Sequence, residues 1–172
     1  MTLLQFFLQN PVFCVAAIVA VVSTLLTVTG RNPVHALLYL IVSLLAVALI
    51  FFLLGAPFAA LLEVIVYAGA IMVLFVFVVM MLNLGDAAEH ERRLLAPRIW
   101  IGPGLLAGLL LLEVLVLMSQ GMTAGGQLTA GVEVTAKQVG IALYGPYLLA
   151  VELASMLLLA ALVAAYHLGR NE

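Results

Sequence analysis

Glu63-Val-Ile-Val-Tyr67-Ala-Gly69-Ala-Ile-Met72-Val-Leu-Phe75-Val-Phe-Val-Val-Met-Met-Leu-Asn83 is the stretch that decides how this chain folds. It is an apolar run that opens on a carboxylate and carries a small-residue notch, Ala68-Gly69-Ala70, near its middle. From Ala59 to Leu84 nothing forces a helix to stop, which gives about 26 residues or roughly 39 Å at the α-helical rise. A bilayer core is only about 30 Å thick, so such a helix must tilt, bend or lose its regular register. A charge inside lipid is costly enough to require a partner or a function. The two oddities together point toward energy transduction rather than simple anchoring.

Working outward, the composition sets the class. The chain has 172 residues, of which 67% are hydrophobic and 8% charged, and its mean hydropathy is +1.34. A soluble domain needs far more charge to cover its surface, so the sequence predicts an all-α integral membrane protein. A net charge of −2 gives no reason to expect nucleic acid or an acidic partner. Cys14 is the single cysteine and lies inside the first apolar run. One cysteine forms no internal disulfide, and without a Cys/His cluster no iron–sulfur or zinc site is expected. No glycine-rich phosphate loop is present either. By these rules the chain carries no redox cofactor of its own.

Measured against the roughly 20 residues a membrane helix needs, five apolar runs qualify. They cover residues 11–29, 35–54, 59–84, 99–119 and 140–168, within one membrane domain over 1–172. The first is expected to be a retained span, since Met1–Asn10 lacks the basic residues of a signal peptide. Gly30-Arg31-Asn32-Pro33 and Gly55-Ala56-Pro57 separate the first three spans. Gly85–Pro97 is a charged connection and Gln120–Val139 a Gly/Thr-rich one. Pro146 lies inside the start of the fifth run, so that helix is expected to begin or kink there. No internal repeat or inverted pair supports a secondary-transporter fold.

Basic residues orient the bundle. With the N-terminus outside, Arg31, Arg92, Arg93, Arg98 and Arg170 lie on the cytoplasmic side and only Lys137 lies outside. The expected topology is therefore N-out and C-in. The connection Asp86-Ala-Ala-Glu89-His90-Glu91-Arg92-Arg93 is near local charge balance and reads as a solvated helical turn with i,i+3 and i,i+4 pairs. His90 stands alone there and receives no ligand role.

Three glutamates lie within spans: Glu63, Glu113 and Glu152. In this topology all three fall in the outer half of the bilayer. Each has a bland reading, in which it reaches the interface or hydrogen-bonds to a neighbouring helix and does no more. Glu113, surrounded by leucine and valine, fits that reading best. Glu63 has Tyr67 at i+4 and Ala70 at i+7, which on an α-helix is a polar stripe usable by a proton or water chain. Glu152 precedes Ala154-Ser155, small residues that allow close helix approach. The Ala68-Gly69-Ala70 notch serves either tight packing or a change of helical register. Met72, Phe75, Phe77, Met80 and Met81 read as lipid-facing or packing surface rather than a quinone pocket.

Three further motifs complete a pattern. They are Asn32-Pro33-Val34-His35-Ala36-Leu37-Leu38-Tyr39-Leu40, Trp100-Ile-Gly102-Pro103 and Gly145-Pro146-Tyr147-Leu-Leu-Ala-Val-Glu152-Leu-Ala-Ser155. With Glu63–Phe77 they span nearly the whole chain in order. At these residues the chain closely resembles subunit J of bacterial NADH–quinone oxidoreductase, the counterpart of subunit 6 of mitochondrial respiratory complex I. Glu113 lies outside the pattern. Some members carry a polar tail, whereas this chain stops at Glu172, so such a tail is not expected to be needed.

The resemblance implies a five-helix membrane-arm subunit of a proton-pumping complex in the bacterial inner membrane. It implies a π-bulge in the third helix, around the motif that here is Tyr67–Phe75, convertible to plain α-helix. It further implies a proton path or coupling role for Glu63, Tyr67, Gly69, Met72, Phe75 and Glu152. NADH, FMN, iron–sulfur clusters and quinone would belong to partner subunits, among them antiporter-like, small three-helix and quinone-site subunits. The overlong span and the glycine notch suggest a register defect independently of that resemblance. Two other classes stay open: a homologous membrane subunit of a hydrogenase or multisubunit cation/proton antiporter, and a bundle of spans with no part in proton movement.

Overall fold

The computed structural model describes residues 11–30, 32–82, 97–119 and 133–170. The described residues are helical throughout apart from turns and caps, with no strand among them. Five helices are long and apolar enough to cross a membrane: Pro11–Thr29, Pro33–Leu53, Pro57–Met81, Trp100–Ser119 and Leu148–Gly169. By contact the chain divides into two compact units, Met1–Glu133 and Val134–Glu172. The charged connection Asp86–Arg93 and His90 lie outside the described residues, as does Arg31.

In the first unit, α1 (Pro11–Thr29) and α2 (Pro33–Leu53) form a hairpin. Ala16, Val19, Ala20 and Ser23 are the buried residues of α1. Their i, i+3, i+4, i+7 spacing makes one face of a helix. The turn into α2 is held by Asn32, whose side-chain oxygen accepts from the Val34 N–H at 3.1 Å while Pro33 occupies the first helical turn. The small residues Ala16, Ala20 and Ala46 share the core with Val19, Val42, Leu49 and Leu53, and small side chains let membrane helices approach closely. A polar bridge crosses the hairpin: the hydroxyls of Thr24 and Ser43 are 2.7 Å apart, Ser43 also donates to the Ala20 carbonyl at 3.4 Å, and Thr24 donates to the same carbonyl at 2.8 Å.

The exit from α2 explains why so short a link suffices before the next helix. Gly55 sits at φ 80°, in the left-handed region that favours glycine. The Ala56 N–H reaches back to the Phe51 carbonyl at 3.0 Å and the Gly55 N–H to that of Phe52 at 3.1 Å. This pair of bonds is the Schellman ending, which satisfies the last carbonyls of a helix. Pro57 then starts the third span at once.

That span has three parts: α3 (Pro57–Leu62), a π-helical segment (Glu63–Ile71) and α4 (Met72–Leu82). The expected register defect in the third helix is present and occupies nine residues, but it begins four residues before the expected Tyr67–Phe75 and ends at Ile71, so Phe75 lies in regular α-helix beyond it. Then comes α5 (Pro97–Ser119), which carries Pro103 internally and packs on both α2 and α1.

In the second unit, α6 (Ala136–Tyr144) begins with a reciprocal cap. The Thr135 hydroxyl accepts from the Gln138 N–H, and the Gln138 side chain accepts from the Thr135 N–H at 3.0 Å. After Gly145-Pro146-Tyr147 comes α7 (Leu148–Gly169), which buries none of its residues. The apolar run at 140–168 is thus two helices, and the long one starts two residues beyond Pro146. A Cβ at Gly145 would lie 2.7 Å from the Ile141 carbonyl, so the chain passes this break only without a side chain. α7 is apolar apart from Glu152, Ser155, Tyr166 and His167.

Candidate functional site: the π segment and the span carboxylates

Glu63-Val64-Ile65-Val66-Tyr67-Ala68-Gly69-Ala70-Ile71 winds as a π-helix, in which each N–H reaches five residues back. Two local features favour the wider turn. Val64, Ile65 and Val66 are β-branched and crowd an α-helical turn. Gly69 leaves room over the Val64 carbonyl, where a Cβ would lie only 3.1 Å from the oxygen. At both ends the backbone is ordinary right-handed helix, with Leu62 at φ −63°, ψ −39° and Met72 at φ −69°, ψ −36°. The span therefore continues through the defect without a break.

The wider turn rearranges the faces. Ala60, Ala68 and Met72 are buried, while Glu63, Val76 and Val79 are partly so. Glu63 therefore shares its inward side with Ala68, five residues on, and with Met72. Tyr67 and Phe75 are each 52% exposed, and Ala70 is exposed too. The expected stripe Glu63–Tyr67–Ala70 is corrected by this geometry, because an i+7 relation belongs to 3.6 residues per turn and fails where bonds span five residues. Gly69 is half-buried within the segment. Of the residues singled out from the sequence, Glu63, Gly69 and Met72 lie on or beside the inner side of one segment. Tyr67 and Phe75 point away from it. Glu152 belongs to the second unit and is exposed on α7.

Glu113 departs most from expectation. It neither reaches a surface nor hydrogen-bonds to a neighbouring helix: it is buried at 6% exposure, and neither carboxyl oxygen has a hydrogen-bond partner. The cause is its place on α5, where Pro103, Leu110, Glu113 and Leu117 are buried and Leu106 partly so. Those positions alternate three and four residues apart, the spacing of a packing seam.

Sequence reasoning also missed one contact that joins two quoted motifs, and a cavity. Tyr39 of α2 places its hydroxyl where a Cβ on Gly102 of α5 would stand, so the two helices touch through a missing side chain. An apolar cavity of about 640 Å³ lies between α2, the start of the third span and α5, lined among others by Leu49, Phe52, Ala60, Val64, Leu110 and Val114. Val64 belongs to the π segment, so one residue of that segment lines the cavity while Ala68 on its inner side is buried. No group of three or more His, Cys, Asp or Glu side chains occurs among the described residues, so they offer no cluster for a metal.

Known proteins share this sequence. The family described as NADH-ubiquinone/plastoquinone oxidoreductase chain 6 matches residues 23–168. A protein of Pseudomonas aeruginosa named NADH-quinone oxidoreductase subunit J is 66% identical over 161 residues, covering 93% of this chain and 96% of that one. The subunit J of Escherichia coli K12 is 58% identical, covering 93% and 86%. That of Buchnera aphidicola subsp. Schizaphis graminum is 49% identical, covering 94% and 98%. With the match covering most of its length, the chain belongs to the NADH-ubiquinone/plastoquinone oxidoreductase chain 6 family.

Proposed function

We propose that this chain is the J-type membrane subunit of a proton-translocating NADH–quinone oxidoreductase in a bacterial inner membrane, and that its third span couples quinone reduction to proton translocation. The π segment Glu63–Ile71 carries this reading, and the relatives named subunit J support it. The chain itself contributes no redox centre. NADH, FMN, iron–sulfur clusters and quinone reside in partner subunits, and antiporter-like, small three-helix and quinone-site subunits flank it in the membrane. The N-terminus lies outside and the C-terminus inside.

The mechanics follow from hydrogen-bond exchange. In the π segment the carbonyl of Tyr67 accepts from the Met72 N–H. On conversion to α-helix it accepts from Ile71 instead, and every bond in the segment passes to the adjacent donor. No backbone group is stranded, which is what the absence of water in lipid demands. Removing one residue from the turn rotates α4 against α3 by about 100°, given 3.6 residues per turn. Such a rotation carries Met72 off the inner face and brings other side chains onto it. Glu63, at the start of the segment, then meets a different set of neighbours, which is how a change of register gates a proton. Gly69 is the hinge, Tyr67 and Phe75 face the partner helices, and Glu152 offers a second carboxyl group to the same assembly.

Assembly tests the reading. Affinity-tagged chain, expressed with its neighbouring genes and resolved on a native gel, is expected to co-migrate with NADH-oxidising activity, flavin and iron–sulfur clusters. Co-migration with hydrogenase or antiporter subunits lacking those cofactors would replace it, and a monodisperse monomer in detergent would refute it.

A further inference from the structure

Among the described residues of the first unit, three polar side chains are buried: Ser23, Ser43 and Glu113. Ser43 is satisfied, by the Thr24 hydroxyl at 2.7 Å and the Ala20 carbonyl at 3.4 Å. Both oxygens of Glu113 are buried without a donor. Its flanking seam residues Leu110 and Leu117 belong to the core cluster with Ala16, Val19 and Ala20 of α1 and Val42, Ala46, Leu49 and Leu53 of α2. The carboxyl group is therefore set among alkyl side chains from three helices.

One contact fixes how α2 and α5 align and so how far the charged groups stand. Tyr39 meets Gly102, eleven residues before Glu113, which is about 16 Å along α5 at 1.5 Å per residue. His35 precedes Tyr39 by a further turn of α2. Arg98 lies fifteen residues before Glu113 on its own helix, about 22 Å at the same rise. The other titratable residues on the packed elements are Cys14 of α1, and Glu63 and Tyr67 of the π segment, and none supplies a positive charge. Within the first unit, no described cation stands within reach of the Glu113 carboxyl group. An ionised carboxylate here would have neither counter-ion nor donor, an arrangement proteins avoid by neutralising the group.

We propose that Glu113 is a proton-binding site in the α1–α2–α5 core, its carboxyl group holding one proton on one oxygen in the assembled membrane protein. The site is separate from the π segment and stands whether or not that segment moves. The ligand is the proton itself. Its exchange requires the seam to open, because Leu110 and Leu117 close it along α5. The apolar cavity walled by Leu110 and Val114 runs beside it and admits no polar partner of its own.

Infrared spectroscopy of the purified complex decides this. The spectrum of the natural complex minus that of Glu113→Gln is expected to contain one protonated-carboxyl C=O band, moving to lower frequency after exchange into D2O. A pair of ionised-carboxylate stretches in its place overturns the proposal. Assembly gives an independent answer. Glu113→Gln and Glu113→Leu leave no counter-charge behind, so at least one is expected to accumulate in the complex at the natural level and to serve for the difference spectrum. Loss of the complex in both variants overturns the proposal, because it means that a cation or donor depends on the carboxylate.

Discussion

The backbone N–H of Met72 donates to the carbonyl oxygen of Tyr67, five residues back, and this bond marks where the π segment returns to α-helix. In an unbroken α-helix the same oxygen would accept from Ile71. Flanking residues keep right-handed helical angles, so the defect consists of a choice between adjacent hydrogen-bond partners and needs no positive φ. That distinguishes it from a proline kink, which removes a bond outright. A register that changes by exchanging bonds suits a helix in lipid, where an unpaired N–H costs several kcal/mol.

The contact between Tyr39 and Gly102 predicts a specific packing defect. A Cβ at Gly102 overlaps the Tyr39 hydroxyl and lies 3.2 Å from the ring carbon that bears it. Gly102→Ala is expected to destabilise the subunit by about 1–3 kcal/mol, the usual cost of overpacking. Tyr39→Phe removes the colliding oxygen, so the double variant should recover most of that loss. Thermal stability of the complex across the double-mutant cycle measures the coupling. A double variant no better than Gly102→Ala alone would show that the hydroxyl is not the obstacle.

How much of this was visible beforehand depends on what each feature leaves in the sequence. Five spans are legible because lipid demands long apolar runs, and the register defect is legible because the third run is too long and carries Gly69. The Schellman turn at Gly55 is likewise signalled by Gly-Ala-Pro after an apolar run. Helix faces are a different matter. On a span apolar all round, hydrophobicity gives little contrast between the side facing protein and the side facing lipid, so the inward placement of Glu113 was easily missed. The alternating three-and-four spacing of Pro103, Leu106, Leu110, Glu113 and Leu117 was the available signal. The Ala70 placement failed because the α-helical i+7 spacing was carried through a segment that does not obey it. Pro146 signalled the start of α7 to within two residues, whereas α6 was not separated from it because the apolar run was read as continuous from residue 140.

The carboxylates give a graded test of the coupling role. Glu63→Gln keeps shape and removes the titratable charge at the start of the π segment. It is expected to lower proton-coupled quinone reduction more than Glu113→Gln, with Glu152→Gln between them. The fall for Glu63→Gln should be partial, since groups on other subunits can carry a water chain. If Glu113 holds a proton as proposed, Glu113→Gln exchanges one uncharged hydrogen-bonding group for another and should leave turnover close to normal. Natural turnover in all three would assign these side chains to packing and interfacial anchoring.

Orientation is testable without a complex. Five arginines on one side and one lysine on the other predict N-out and C-in. A reporter active only in the periplasm, fused after Arg170, should be silent, and one active only in the cytoplasm should be bright. The reverse pattern would invert every inside and outside assignment, including the placement of all three glutamates in the outer half of the bilayer.

Gly69 provides the sharpest test of the third span. A Cβ there lies 3.1 Å from the Val64 carbonyl, so Gly69→Ala requires a shift of a few tenths of an ångström. Gly69→Val adds branching that stiffens the turn and fills the notch. Both changes penalise one register relative to the other, and valine more than alanine. If the penalty is about 1.4 kcal/mol, within the range for overpacking, the population of the disfavoured register changes about tenfold. NADH oxidation with an artificial electron acceptor should be intact, because the proposed function assigns that chemistry to other subunits. Quinone reduction and proton pumping should fall together, by about tenfold for Gly69→Val if the register change limits turnover, and by less for Gly69→Ala. Their ratio is the informative quantity. A fall in pumping alone would place Gly69 in a proton path rather than at a hinge. An assembled Gly69→Val complex that reduces quinone and pumps at the natural rate would leave the notch with no role but packing.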